Sequence, residues 1–254
     1  MSDRPRVYKT EGIILRRRNI GEADSIFTVF SERDGKFDAV ARGVRKARSR
    51  MRGHLEPLTR SRLMLARGRT LDVFTQAETV DPYHTLRDDV DRGAAGLYCA
   101  ELIDRFTIDH AENSGLYHLL RQMLESIDAG LPLQVIRHFE LELLRLAGYE
   151  VQLLVCTLCG NRLPPEDALL SATAGGLVCG SCRPAAGEGR ILSVGAIKVL
   201  RHARTVDVTE FATLRLDGAL GAELQAALGR VLRYHLDRDL NTPRFAHEMA
   251  SFRH

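Results

Sequence analysis

Apolar positions come in short, strand-length runs up to residue 80 and at helical spacing thereafter. Residues 7–15 carry Gly12-Ile13-Ile14-Leu15 before an arginine triplet, and residues 24–31 hold Ser25-Ile26-Phe27-Thr28-Val29-Phe30. Residues 36–44 alternate, with Phe37, Ala39 and Ala41 on one face and Lys36, Asp38 and Arg42 on the other. Runs at 58–67 and 70–80 complete a set of five predicted strands. Asp34-Gly35 is a hairpin signal between the second and third, and Arg67-Gly68-Arg69 marks a tight turn between the last two. Five strands in so short a stretch predict a small antiparallel barrel, for which the OB-fold is the best-known solution. A polar stretch, 45–56, separates the third strand from the fourth and is too long for a tight turn.

After Asp81-Pro82 the period changes. Leu86, Val90, Ala94, Leu97, Leu102, Ile103 and Phe106 predict one helix. Asn113-Ser114 opens a second, through Leu116, Leu120, Met123 and Ile127, which Gly130 stops. A third starts near Pro132 and runs through Phe139, Leu143 and Leu146 to Gly148. A cysteine-rich insert follows, then helix candidates at 193–204, 219–238 and 242–252, with Ser193 and Thr242 as N-caps. The expected fold class is α+β and multidomain: a barrel at 1–80, a helical bundle formed from 81–150 and 191–254, and a cysteine module inserted at 151–190.

The 254 residues can bury a core, being 44% hydrophobic and 27% charged, and no apolar run approaches the ~20 residues of a membrane helix. The N-terminus lacks the apolar h-region of a signal peptide, so a cytoplasmic protein is expected. The net charge of +3 hides an asymmetry. Residues 1–80 carry 18 Lys and Arg against 10 Asp and Glu, whereas residues 81–254 carry 18 against 23. A basic head on an acidic body suggests that the head meets a polyanion. Trp is absent and aromatics are 6%, which argues against a large stacking surface.

Cys156-Thr-Leu-Cys159-Gly160 and Cys179-Gly180-Ser-Cys182 form C-x2-C-x19-C-x2-C. Two close thiol pairs supply four thiolates to one tetrahedral Zn²⁺, leave it no open position and so make it structural, one ion per chain. Gly160 and Gly180 suit turns whose N–H groups point at sulfur. Disulfides would need an oxidising compartment, which nothing in the chain indicates. The fifth cysteine, Cys99, reads as a buried thiol between Leu97 and Leu102. The nucleobase deaminase signature, H-x-E followed by P-C-x-x-C, is only partly met by His138-Phe139-Glu140 and the first cysteine pair. Val155 stands where that signature has Pro, and the second pair would be unexplained; His138 reads more simply as a half-exposed helix residue. Asp88-Asp89 and Glu140/Glu142 read as solvated helix faces. Neither a phosphate-binding G-x-x-x-x-G-K-[ST] loop nor a G-x-S-x-G elbow is present, so no enzymatic activity is expected.

Arg42, Arg45, Lys46, Arg48, Arg50 and Arg52 place six cations in eleven residues with no acid among them. Such a run neutralises phosphates with little sequence preference, and Arg16, Arg17 and Arg18 leave the first strand nearby. Most of Tyr8, Phe27, Phe30, Phe37 and Phe74 must fill a barrel this small, leaving one or two at most for bases.

Taken in order, several stretches resemble the RecO family of bacterial recombination mediators. They are Gly12-Ile-Ile-Leu-Arg-Arg-Arg with Gly21-Glu-Ala-Asp-Ser25, Ala41-Arg-Gly-Val-Arg-Lys46 with Arg48-Ser-Arg50, and Leu55-Glu-Pro-Leu58. Phe139-Glu-Leu141 with Leu144-Arg-Leu-Ala-Gly-Tyr149, leading into Cys156-x-x-Cys159-Gly160, continues the likeness. The resemblance implies an N-terminal OB-fold, a helical domain and a four-cysteine zinc site. It further implies a non-enzymatic role: binding single- and double-stranded DNA, annealing complementary strands, and assisting RecA loading on strands coated by single-strand-binding protein (SSB). The partners implied are RecR and the acidic C-terminal tail of SSB, in the bacterial nucleoid. The alternative from another class is an adaptor whose basic face docks an acidic protein.

Overall fold

In the computed structural model, which describes residues 6–236, the chain divides into two compact units. The first holds five strands and three helices: β1 (Val7–Ile20), β2 (Asp24–Ser31), β3 (Gly35–Ala41), β4 (Arg60–Ala66), β5 (Asp72–Asp81), α1 (His84–Asp88), α2 (Val90–Phe106) and α3 (Ser114–Asp128). The five strands of the sheet pair in the order β1-β2-β3-β5-β4, and β4 returns to β1 to close a barrel. Every pairing is antiparallel except β3 with β5.

The alternation in β3 holds residue by residue: Phe37, Ala39 and Ala41 enter the barrel core with Ile14, Phe27, Val29, Leu63, Leu65 and Phe74. Phe27 and Phe74 meet edge-on at 5.9 Å, an arrangement that suits their ring quadrupoles. β1 and β2 do not alternate because both of their faces are covered. Ile14 faces the core, yet Ile13 and Leu15 are equally buried, and α2 packs against β1. On β2, Phe30 turns from the core to meet Tyr117 of α3 edge-on at 6.0 Å. The helices of the first unit are thus the barrel's second layer, and each fully buried Phe there stabilises by roughly 1.5–3 kcal/mol.

Three differences from the sequence expectation have local causes. β1 continues to Ile20 rather than stopping near residue 15, because a bulge between Ile14 and Arg16 resets its register and β2 goes on pairing with it. The first expected helix is two, since Asp89 leaves helical geometry and its carboxylate caps α2 by accepting from the Asp91 and Arg92 N–H groups. Asp89 is therefore a cap rather than part of a solvated face. The helices expected to form one bundle divide: those at 84–128 group with the barrel, whereas that at 136–146 groups with the helices that follow the cysteine segment.

The second unit contains α4 (Ile136–Leu146), a three-stranded sheet of β6 (Ala168–Ser171), β7 (Gly176–Val178) and β8 (Arg190–Leu192) in the order β7-β6-β8, then α5 (Val194–Ala203), α6 (Val208–Ala212) and α7 (Gly218–Leu236). α4, α5 and α7 pack on one another. Ser193 caps α5 as expected, accepting from Ala196 N–H, and its own hydroxyl donates to Glu223 of α7 at 2.8 Å. Helix α6, capped by Asp207, was not anticipated. The last two residues of the 219–238 prediction and all of 242–252 lie outside the described residues.

Candidate nucleic-acid interface and metal centre

The basic run leaves β3 at Ala41 and is a structured connection rather than a free loop. Gly43 takes a left-handed φ of 65°, which a side chain would strain, and its N–H donates to the Asp24 carboxylate at 2.7 Å. Arg45 N–H donates to Ala23 O at 2.9 Å, and turns close from Lys46 N–H to Gly43 O and from Ser49 N–H to Lys46 O. Val44 and Leu55, both 0% exposed, plug into the barrel core at either end, with Met51 half-buried against it. A short 3₁₀ helix (Arg52–Leu55) ends the run, where His54 O accepts from Ser61 Oγ at 2.6 Å. Between these anchors the side chains of Arg42, Arg45, Lys46, Arg48, Arg50 and Arg52 are all exposed. Only Arg45 has a hydrogen bond here, donating from Nη1 to Gly21 O at 3.0 Å, and no acid pairs with any of the six among the described residues. A pinned backbone carrying six solvated cations is a fixed positive surface.

The arginine triplet lies within β1 rather than leaving it, and its members differ. Arg16 pairs with Asp104 of α2 at 3.0 Å. Arg17 pairs with Glu56 at 3.5 Å and lies over the Phe27 ring at 5.8 Å. Arg18 is exposed. Phe27, Phe30, Phe37 and Phe74 are buried, and Tyr8 is half-covered, its hydroxyl donating to Asp72 at 2.7 Å beneath Arg67. None of the five barrel aromatics offers an open face. Lys9, Arg33 and Arg62 add exposed charge on the strand side. Reading the sequence missed these three because none belongs to a dense run of cations.

In the second unit Cys156, Cys159, Cys179 and Cys182 come together, their sulfurs all within 4.8 Å of one another. Cys156 and Cys159 sit in a narrow loop closed by Cys156 N–H donating to Asn161 O at 2.8 Å and by pairing of Val155 with Arg162. Cys179 starts the short 3₁₀ helix that brings Cys182 round. The Gly160 N–H donates to Cys156 O, not to sulfur as expected. Burial pushes the Cys156 thiol up, but N–H groups of Cys179, Cys159 and Leu158 directed at its sulfur outweigh this and hold it at about 6. Hydrogen bonds with the Cys179 and Cys159 sulfurs push Cys182 up to about 12. Four crowded sulfurs, one of them readily ionised, fit a metal ion: a tetrahedron with metal–sulfur bonds near ~2.3 Å needs sulfur separations of roughly 3.8 Å, and Cys159 and Cys179 stand 4.0 Å apart.

His138 and Glu140 are not part of that site. Both are buried rather than half-exposed or solvated, because α4 is enclosed on most sides. His138 Nε2 lies 3.0 Å from Val206 O, and Glu140, 0% exposed, pairs with Arg137 at 3.0 Å. The metal-capable group contains cysteines only, among the described residues. Cys99 is buried, as expected.

A closed barrel bearing a pinned polycationic run, joined in one chain to a unit with a four-thiol centre, defines a multidomain α+β protein with a candidate polyanion surface and a candidate metal site. Comparison with known proteins narrows that class. Residues 1–83 match the family model described as Recombination protein O N terminal, and residues 87–244 match Recombination protein O C terminal. The chain is 39% identical over 240 residues to the DNA repair protein RecO of Roseiflexus sp., covering 93% of this chain and 83% of that one. It is 35% identical over 242 residues to the DNA repair protein RecO of Desulforamulus reducens, covering 94% of each. The likeness to the Moorella thermoacetica protein of the same name is 32% over 246 residues, covering 96% and 92%. The chain belongs to the RecO family of DNA repair proteins. No helix among the described residues is long and apolar enough to cross a membrane.

Proposed function

We propose that this protein is a non-enzymatic DNA-binding mediator of recombinational repair. In this reading its barrel is an OB-fold that holds single- and double-stranded DNA along Arg42, Arg45, Lys46, Arg48, Arg50 and Arg52, with Arg18 extending the track. The observation that carries it is the fixed run of six exposed, acid-free cations on a chain of a DNA repair family. Six phosphate contacts release about six counterions, which suits tight binding at low salt and a loss of about a thousandfold between ~50 and ~200 mM salt on duplex. Phosphate contacts of this kind ignore sequence. A mediator that must act on any damaged strand needs that property.

Arg16 and Arg17 contribute less, because Asp104 and Glu56 already compensate them. Annealing follows from charge: two strands neutralised on one cationic surface no longer repel. The four-thiol site takes one structural Zn²⁺, held by Cys156, Cys159, Cys179 and Cys182 with no position left for substrate. RecR and the acidic SSB tail are the expected partners, RecA is served indirectly, and the protein works at the bacterial nucleoid in the cytoplasm.

The test is annealing of complementary dye-labelled oligonucleotides, followed by energy transfer with and without the protein. Acceleration that Arg45→Glu/Arg48→Glu removes is expected. An adaptor whose basic face docks an acidic protein would leave the annealing rate at its spontaneous value.

A further inference from the structure

An open cleft of about 910 Å³ lies in the first unit beside the basic run and shares Arg50 and Met51 with it. Its size is within the range of small-ligand sites. Its rim carries both signs of charge. Of its four acids, Glu11 is engaged by Arg60 at 3.0 Å and Arg62 at 3.8 Å, Glu32 faces His118 at 3.1 Å, Asp34 accepts from the Ser31 hydroxyl, and Glu78 is exposed. The rim cations Lys9, Arg33 and Arg50 are exposed and have no ion-pair partner among the described residues. The same cleft is lined by Met51 and Met64, both half-buried, and by exposed Gln76.

We infer that this cleft receives one unstacked nucleotide of a DNA strand lying on the basic run. The inference deepens the DNA-binding reading and rests on it. Lys9, Met64 and Gln76 are paired neighbours across β1, β4 and β5, so a cation, a polarisable thioether and an amide with both donors and acceptors stand in one row beside Arg50. A nucleotide presents the matching order of phosphate, ring face and base edge. Non-specific single-strand binders commonly stack bases on aromatic side chains, and the barrel aromatics here are buried or covered. Met51 and Met64 take that role, since a thioether contacts an aromatic ring favourably and tolerates any base. An acidic peptide has charge for the rim but no flat ring for the floor.

The chain has five methionines, which makes the test direct. Full-length protein labelled with ¹³C at the methionine methyls is titrated with deoxyadenosine monophosphate and, separately, with a single-stranded oligonucleotide, while anisotropy follows oligonucleotide binding. Both ligands are expected to shift the Met51 and Met64 methyls and to leave that of Met123, buried in α3, unmoved. Gln76→Trp, which fills the cleft from an exposed strand position, is expected to abolish those shifts, weaken oligonucleotide binding several-fold and leave its salt dependence unchanged. Oligonucleotide that binds without moving either methyl overturns the inference and leaves the DNA reading standing. If no oligonucleotide binds, the DNA reading and the inference fail together. A hexaglutamate peptide that shifts both methyls when the nucleotide does not would make the cleft a protein site and overturn the inference.

Discussion

Reversing two charges on the basic run, Arg45→Glu with Arg48→Glu, separates binding from folding. Both side chains are exposed, and the anchors of the segment are backbone and apolar: Gly43 N–H on Asp24, Arg45 N–H on Ala23 O, Val44 and Leu55 in the core. The substitutions leave each anchor in place. The side-chain bond lost is Arg45 to Gly21 O, an exposed contact within the ~0.5 kcal/mol typical of surface changes. For a chain of this length that moves the melting temperature by roughly 1–2 °C. The effect on DNA is far larger. Six phosphate contacts give a single-strand salt slope near −4.2, and four give about −2.8. Between about 50 and 200 mM salt the parent therefore loses roughly 300-fold in affinity and the variant roughly 50-fold. Replacing the same arginines with Lys keeps the charge and most of the affinity, because neutralisation needs charge more than fork geometry. Anisotropy of a labelled oligonucleotide at several salt concentrations, with thermal melting alongside, reads both effects. A variant that melts normally and keeps the parent's affinity and slope refutes the phosphate track. One that binds less only because it unfolds would show the segment to be structural.

Purified without chelator, the protein is expected to carry one equivalent of zinc, and Cys156→Ser or Cys179→Ser to release it and destabilise the second unit. Elemental analysis showing under about a fifth of an equivalent of any metal, with freely titrating thiols, contradicts the site. Gly35→Ala forces a side chain into a left-handed φ of 66° and onto the Ala111 backbone, so a loss of at least about 2 kcal/mol is expected in urea denaturation. Glu140→Ala strands buried Arg137 and should cost about 3–5 kcal/mol, whereas Arg137→Met with Glu140→Leu should recover most of it. Calorimetry with ATP and Mg²⁺ is expected to show no binding, since no phosphate-cradling loop precedes a helix.

Where one face of an element is buried, its sequence told its structure. β3 is the clearest case, with Phe37, Ala39 and Ala41 entering the core and the residues between them facing out. The thiol cluster was equally legible, because two-residue spacers and two pairs leave few other geometries. Elements covered on both sides hid their partners. Polar residues in α4 suggested a solvated face at His138 and Glu140, but neighbouring helices enclose them. The extension of β1 through Arg16–Arg18 shows no alternation of its own and depends on β2 opposite, where Arg17 pairs with Phe27 and Arg18 with Ile26. Pairing of Arg16 with Asp104 and of Arg17 with Glu56 joins residues far apart in the chain, and no local pattern announces it. The two-unit division has the same origin, since which helices cover the barrel is a long-range fact.

Binding of DNA phosphates by the basic run is read most simply from a salt titration of the unmodified protein. Single-stranded oligonucleotides of two unrelated sequences are each titrated from about 50 to about 200 mM salt. Equal affinities and a common slope of log affinity against log salt of about −4 are expected. Absence of binding at the lowest salt, or a slope weaker than about −1, would contradict it.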